Sequence, residues 1–230
     1  MATRLALRIS RHRGGTSVSE PIDLVVFDLG GVLVQIVRSW GEAHARAGLP
    51  AHPIAADAAF LARRAPLLDA LSVGHIAPDE YYTGVAEASR GVYSPDDVRR
   101  IHLAWHWAEY PGVDAVVEAI EASGVLTGAL SNTSEPHWAD LRGPESRYPT
   151  VARLRHAVAS HLAGVLKPDP SIYRAFEETS GVPASRLLYF DDLAENVEAA
   201  RSIGWRAERI DPGDTAAQLL AALRRHGVVR

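Results

Sequence analysis

The stretch Leu24-Val25-Val26-Phe27-Asp28-Leu29 narrows the possible folds more than any other part of the chain. An apolar run rich in β-branched and aromatic residues, without polar alternation, is the pattern of a strand buried on both faces. Such strands belong to parallel sheets covered by helices. This one stops at a carboxylate, Asp28, just before Gly30-Gly31. In an open α/β sheet that delivers the carboxylate to the carboxyl edge of the strand, where ligands bind.

From residue 21 onward strands and helices alternate. Residues 125–130 read as a second strand ending at Ser131-Asn132-Thr133, and residues 187–190 as a third ending at Asp191-Asp192. Residues 157–162 read as a short strand ahead of Lys167-Pro168, which opens a helix, and residues 206–210 as a further short strand. Helical patterns over 114–123, 171–180, 194–203 and 215–226 each stop at a glycine, at Gly124, Gly181, Gly204 and Gly227. A helix C-cap favours a left-handed residue at that place. The expected fold is therefore α/β, a doubly wound and mostly parallel sheet with right-handed crossovers.

Residues 38–108 break this rhythm. They hold no convincing apolar strand, only helical stretches punctuated by Gly48-Leu49-Pro50, Gly74-His75-Ile76-Ala77-Pro78 and Tyr93-Ser94-Pro95. The expectation is an all-helical insert packed over the sheet edge, between core segments 21–37 and 109–230. Asp79-Glu80 and Asp96-Asp97 follow prolines, so they fall in helix first turns and favour the macrodipole. Residues 1–20, with Arg4, Arg8, Arg11 and Arg13 and no acid before Glu20, are expected to form a flexible extension.

Composition excludes several function classes. With 24 basic against 28 acidic residues there is no basic footprint for nucleic acid. No apolar run approaches the ~18 residues of a membrane span. The absence of cysteine removes a disulfide scaffold, a thiolate nucleophile and cysteine-ligated metals. A secretory signal pattern is absent, and the expected location is cytoplasmic.

In their order, Phe27-Asp28-Leu29-Gly30, Leu130-Ser131-Asn132-Thr133, Lys167-Pro168 and Phe190-Asp191-Asp192 resemble the four motifs of the haloacid dehalogenase-like (HAD) hydrolase superfamily. The wording is most similar to the branch that holds the phosphatase domain of bifunctional epoxide hydrolases and bacterial sugar-1-phosphate phosphatases. The resemblance spans residues 21–204. It implies a HAD-like Rossmannoid core whose helical insert is a cap that closes on substrate. It also implies a magnesium-dependent phosphatase that hydrolyses a small phosphorylated metabolite, such as a sugar phosphate, through an aspartyl-phosphate. By the resemblance Asp28 is the nucleophile, and Asp28, the Gly30 carbonyl and Asp192 hold Mg2+. Ser131, Asn132 and Lys167 bind the phosphoryl group, with the amides of Asn132 and Thr133 as further donors. Asp191 holds Lys167, and Asn196 orients the metal's water shell. The chemistry is coherent: an anion attacking an anionic phosphoryl group needs a cation beside the reacting oxygens, and magnesium accepts carboxylate, water and phosphate ligands.

One position departs from the pattern. Phosphatases of this superfamily carry an acid two residues after the nucleophile, and here that residue is Gly30. A positioned acid is worth about 10² to 10⁴ in rate, so leaving groups of low basicity are favoured. A haloacid dehalogenase-type hydrolase, whose halide leaves without a proton, is the alternative enzyme. A catalytically impaired phospho-ligand-binding homologue is the non-enzymatic one. His102 and His106 lie four apart without the glutamate of a zincin motif, and with Trp105 and Trp107 they are expected in a packed helix at the cap hinge. Trp40, Tyr81 and Tyr82 are expected in the core of the insert rather than in the cleft.

Overall fold

The computed structural model describes residues 20–230; the expected N-terminal extension lies almost entirely outside the described residues. Strand β1 (Leu24–Phe27) leads into a turn and a short strand β2 (Val34–Ile36). Four helices follow, α1 (Trp40–Arg46), α2 (Ala58–Ser72), α3 (Pro78–Ala88) and α4 (Pro95–Leu103). The chain returns through β3 (His106–Glu109), which pairs antiparallel with β2. Next come α5 (Val113–Ala122), β4 (Leu126–Ser131), α6 (Glu135–Arg142) and α7 (Pro149–Ala152). Then β5 (His156–Ala159), α8 (Ser160–Ala163) and α9 (Pro170–Ser180) precede β6 (Leu187–Asp191). The chain finishes with α10 (Ala194–Ser202), β7 (Arg206–Arg209) and α11 (Thr215–Arg225).

The main sheet has the order β5-β4-β1-β6-β7, and every pairing in it is parallel. Strand alternation divides its burial between two faces. Val25, Phe27, Leu188 and Phe190 pack with Val116, Val117 and Ile120 of α5 and Leu219 and Leu223 of α11. Leu24, Val26, Leu187 and Tyr189 pack on the other face with Ile172, Tyr173 and Phe176 of α9, Val197 of α10 and Trp205. Both faces are covered, which is why β1 and β6 read as unbroken apolar runs. The chain winds from β1 outward through β4 to β5 and then crosses back to β6 and β7 on the other side of β1, so the carboxyl end of β1 lies at a topological switch point.

Helices α1 to α4 bury a separate cluster of Trp40, Phe60, Leu71, Tyr81, Tyr82, Val85, Tyr93, Val98 and Ile101. Trp40, Tyr81 and Tyr82 are therefore interior to the insert. Pro78 and Pro95 open α3 and α4, and Ser94 and Asp97 form a reciprocal capping box: each side chain accepts from the other's amide, at 3.1 and 3.0 Å.

Three expectations need correction. The insert is not purely helical at its base, because His106–Glu109 forms a strand. α4 ends at Leu103, so His102 and His106 do not share a helix, and Trp107 is 41% exposed beneath the Arg46 guanidinium. The short strand before Lys167 ends at Ala159 and gives way to α8, and the helix after Lys167 begins at Pro170 with Asp169 accepting the Ser171 amide at 2.8 Å. Residues 135–152, for which no element was expected, hold α6 and α7.

Candidate active site

Three strand ends converge on one cleft. Asp28 follows β1, Ser131 closes β4 and Asp191 closes β6, with Asp192 next to it. Lys167 arrives on the segment before α9, and Asn132 fastens it there. The Asn132 amide nitrogen donates to the Lys167 carbonyl at 3.0 Å, while its oxygen accepts the Lys167 amide at 2.8 Å. That pair of hydrogen bonds holds two remote segments in register. The Asn132 side chain is thus committed to the protein, and what it offers a phosphoryl group is its backbone amide, at a residue that lines the cavity. The Thr133 amide is committed as well, donating to Ser160 Oγ at 2.9 Å.

Lys167 Nζ is buried among four acceptors: Asp28 Oδ1 at 2.8 Å, Asp191 Oδ2 at 2.8 Å, Tyr189 Oη at 2.9 Å and the Leu130 carbonyl at 3.0 Å. With only three protons, the ammonium is saturated from within. Asp191 is equally occupied. It accepts from Lys167, from the Tyr189 hydroxyl, from the Leu193 amide at 2.8 Å and from Asn196 Nδ2 at 3.0 Å. Asp192, by contrast, has one side-chain hydrogen bond among the described residues, Arg38 Nη1 to Oδ2 at 2.8 Å. Oxygens of Asp28, Asp191 and Asp192 lie within 4.8 Å of one another. Ser131 Oγ lines the cleft and has no hydrogen bond among the described residues, while Asn196 Oδ1 is buried with no partner.

This packing sets the charges. Burial raises the Asp28 carboxyl most, the Lys167 ammonium pulls it down, Asp191 and Asp192 push it up again, and the result is about 7. Burial also opposes ionisation of Asp191, but Lys167 beside it outweighs that and holds it below the ordinary carboxylate range. Lys167 is raised above its usual value: burial works against the ammonium, and the two carboxylates overcome it.

The cleft is a cavity of about 320 Å³ whose far wall comes from the insert, with Arg64, Leu68 and Ser72 of α2 and His102 of α4. His137 of α6 stacks on His102 with ring centres 3.9 Å apart and meets the edge of His106 at 4.4 Å. His137 Nε2 donates to the His102 carbonyl at 2.7 Å, and His102 Nε2 lies 2.9 Å from Ser134 Oγ. Burial pushes all three imidazoles down, His137 to about 4.

A sequence profile of the haloacid dehalogenase-like hydrolases matches residues 22–204. The chain belongs to that family. This HAD hydrolase is 30% identical over 202 residues to Phosphatase MT3486 of Mycobacterium tuberculosis, covering 83% of this chain and 88% of the relative. It is 25% identical over 211 residues to bifunctional epoxide hydrolase 2 of Sus scrofa, covering 83% of this chain and 37% of that protein. Its fold matches a crystal structure of a HAD family enzyme from Bacteroides thetaiotaomicron in complex with magnesium and inorganic phosphate. There the TM-score is 0.67 at 20% identity, over 84% of this chain and 96% of the other.

Two glycines of this HAD hydrolase are fixed by close approach. A Cβ on Gly30 would sit 3.2 Å from Ile36 Cδ1, so the position is closed by the β2 side chain rather than by backbone strain. Gly31 has φ +85°, and a Cβ there would lie 2.6 Å from both Asp192 Oδ2 and Arg38 Nη2. Sequence reasoning did not single out Arg38 or Arg64. Both come from the insert and its approach, and no local pattern ties them to Asp28.

Proposed function

We propose that this hydrolase is a magnesium-dependent phosphatase of a small phosphorylated metabolite, working through an aspartyl-phosphate on Asp28. The observation that carries the reading is the contrast between saturated and available groups around one buried carboxylate. Lys167 and Asp191 are fully bonded to protein, while Asp28, Asp192 and the Ser131 hydroxyl retain free valence facing the cavity.

The residues fit a hard divalent cation. The donor set is all oxygen, Asn196 Oδ1 is buried without a partner, and the absence of a Cβ at Gly31 leaves Asp192 its place. Asp28, Asp192 and the Gly30 carbonyl are the ligands in this reading. Asp191 is excluded because its lone pairs are taken. Magnesium supplies charge neutralisation for the phosphoryl oxygens when bound.

The chain's own residues do the rest. Lys167, pressed against Asp28, favours its ionised form, and the Ser131 hydroxyl donates to a phosphoryl oxygen. Asp28 attacks phosphorus, the bond to the leaving oxygen breaks, and water then attacks the acyl phosphate to release inorganic phosphate and restore the carboxylate. Residue 30 has no side chain to protonate the leaving oxygen, which favours substrates with weakly basic leaving groups.

Phosphate release over sugar, acyl and aryl phosphates, with and without magnesium, tests the reading. Asp28→Asn should abolish turnover with folding intact. Asp192→Ala should raise the magnesium concentration for half activity beyond the about 10- to 100-fold that loss of a supporting contact alone costs. Full activity in Asp28→Asn, or in excess chelator, refutes the assignment. Halide release from 2-haloacids without phosphate release would replace it with dehalogenase chemistry.

A further inference from the structure

Among the described residues, the cations that line the cleft are paired with carboxylates, with one exception. Arg38 pairs with Asp192 at 2.8 Å, and Lys167 with Asp28 and Asp191 at 2.8 Å. Arg63, the neighbour on α2, donates through Nε and Nη2 to the Ala88 carbonyl. Arg64 has no carboxylate within 4.0 Å among the described residues, although it is only 8% exposed. Its Nε donates to Tyr81 Oη at 3.1 Å. The guanidinium centre lies 4.5 Å from the centre of the Trp40 ring and 5.8 Å from that of Trp105. No hydrogen bond from its terminal nitrogens is present among the described residues, neither nitrogen is fully buried, and the residue lines the cavity.

A guanidinium stays charged at every accessible pH, and burying it without a counter-ion is costly. Aromatic faces offset part of that cost, but they satisfy none of the N–H donors. Such a group is half of an ion pair whose other half arrives with the ligand. Arg64, Leu68 and Ser72 repeat at helical spacing, so one stripe of α2 faces Asp28, Ser131 and Asp192 across the cavity. The one acid on this wall, Asp69, is exposed. The phosphoryl group and a second anion thus have separate partners in a single small chamber.

We infer that Arg64 forms a second anion site in the cavity, and that the substrate is a phosphate ester or acyl phosphate that also carries a carboxylate. A carboxylate rather than a second phosphate fits because the guanidinium brings one charge, which one carboxylate balances, whereas a phosphate monoester would bring nearly two. The inference rests on the phosphatase reading. It assigns Arg64 the selection of substrate, with Trp40 and Tyr81 fixing the plane of the guanidinium. Burial, with a smaller push from Arg64, holds His102 and His137 toward neutrality.

The test uses the full chain with magnesium and compares 3- and 4-carboxyphenyl phosphate with phenyl phosphate, whose leaving phenol is similar. One carboxyphenyl ester should exceed phenyl phosphate in kcat/KM by about 10- to 100-fold, the range of a charge-assisted bidentate pair. The difference should reside in KM. Arg64→Met should bring that ratio to within about threefold of unity, and Arg64→Lys should leave it intermediate. Equal kcat/KM for all three esters in the unaltered protein overturns the second anion site alone. A preference that survives Arg64→Met in a folded variant does so too. If Arg64→Met does not fold, the comparison in the unaltered protein decides. No phosphate release from these esters or from p-nitrophenyl phosphate overturns the phosphatase reading with it.

Discussion

Lys167→Met separates structure from chemistry at the centre of the site. The substitution keeps the apolar stem and removes an ammonium whose side chain is 1% exposed. Asp28 and Asp191 each lose a partner at 2.8 Å. Removing one member of a buried ion pair costs about 3–5 kcal/mol, because the partner charge stays behind. Here the cost divides. Asp191 keeps the Leu193 amide, the Tyr189 hydroxyl and Asn196, so it remains ionised at reduced stability. Asp28 already sits at about 7 with Lys167 present, and without it the carboxyl rises further. A carboxyl raised in the folded state binds more protons there than when unfolded, so its contribution falls as pH rises through the window up to the folded value. Below about pH 6 Asp28 is protonated in both proteins, and the stability gap reports Asp191. By about pH 8.5 the gap should widen by about 1.4 kcal/mol for each unit by which Asp28 has risen. Urea unfolding followed by circular dichroism, in excess chelator at both pH values, measures this. Adding Asp191→Asn to Lys167→Met should recover about 2 kcal/mol, a coupling that a double-mutant cycle isolates. A gap below about 1 kcal/mol at the higher pH, or no recovery, would refute the view that Lys167 compensates two buried carboxylates.

Acid should destabilise the protein through the histidine trio. His137 is pushed down to about 4 by burial, so the unfolded chain takes up its proton first, and stability held above about pH 6.5 is lost as pH falls toward 4, by about 3 kcal/mol in full. Thermal unfolding between about pH 7.5 and 4.5 should show a shallower acid loss for His137→Gln than for the unaltered protein; equal slopes would contradict this. Gly30→Asp combined with Ile36→Ala makes room for a carboxyl beside the leaving oxygen, since Ile36 Cδ1 and Cγ2 are the nearest atoms to the new Cβ, at 3.2 and 3.3 Å, and valine would keep the second. Hydrolysis of alkyl phosphates should rise relative to aryl phosphates, toward the about 10²-fold lower limit of acid catalysis. An unchanged ratio would mean that another group already provides the proton.

The legible part of the fold was the part made of local signals. β1 and β6 announce themselves because both faces are buried, and the helix stops at Gly124, Gly181 and Gly204 fall where the glycines take positive φ. The strand ends at Asp28, Ser131 and Asp191 were placed by the same runs. β3 was not legible: His106-Trp107-Ala108-Glu109 is short, half polar and paired only to β2, so its pattern follows a ribbon rather than a core. The spacing of His102 and His106 imitates a helix across its actual end. α6 was hidden by Pro136, which stands in its first turn, where proline is tolerated. Arg64 and His137 reach the cavity from α2 and α6, and their distance in sequence from Asp28 carries no trace of their distance in space. The commitment of Asn132 to Lys167 could not be read either, because an asparagine after a strand looks the same whether it faces a ligand or another loop.

The helical insert is joined to the sheet by two crossings of the chain, and those crossings, β2 and β3, are zipped to each other. Two separate tethers would let the insert tilt about any axis. A hydrogen-bonded ribbon resists shear along its ladder and yields across its face, so any rotation of the insert reduces to flexing about one line. Ile36 and His106 lie on that ribbon and Arg38 just beyond it, whereas Asp28, Ser131 and Asp192 are anchored in the sheet. Flexure therefore bears on the contact between Arg38 and Asp192, and it is resisted on the far side of the cleft by the bonds that join His102 to Ser134 and His137 and Ser72 to Ser160.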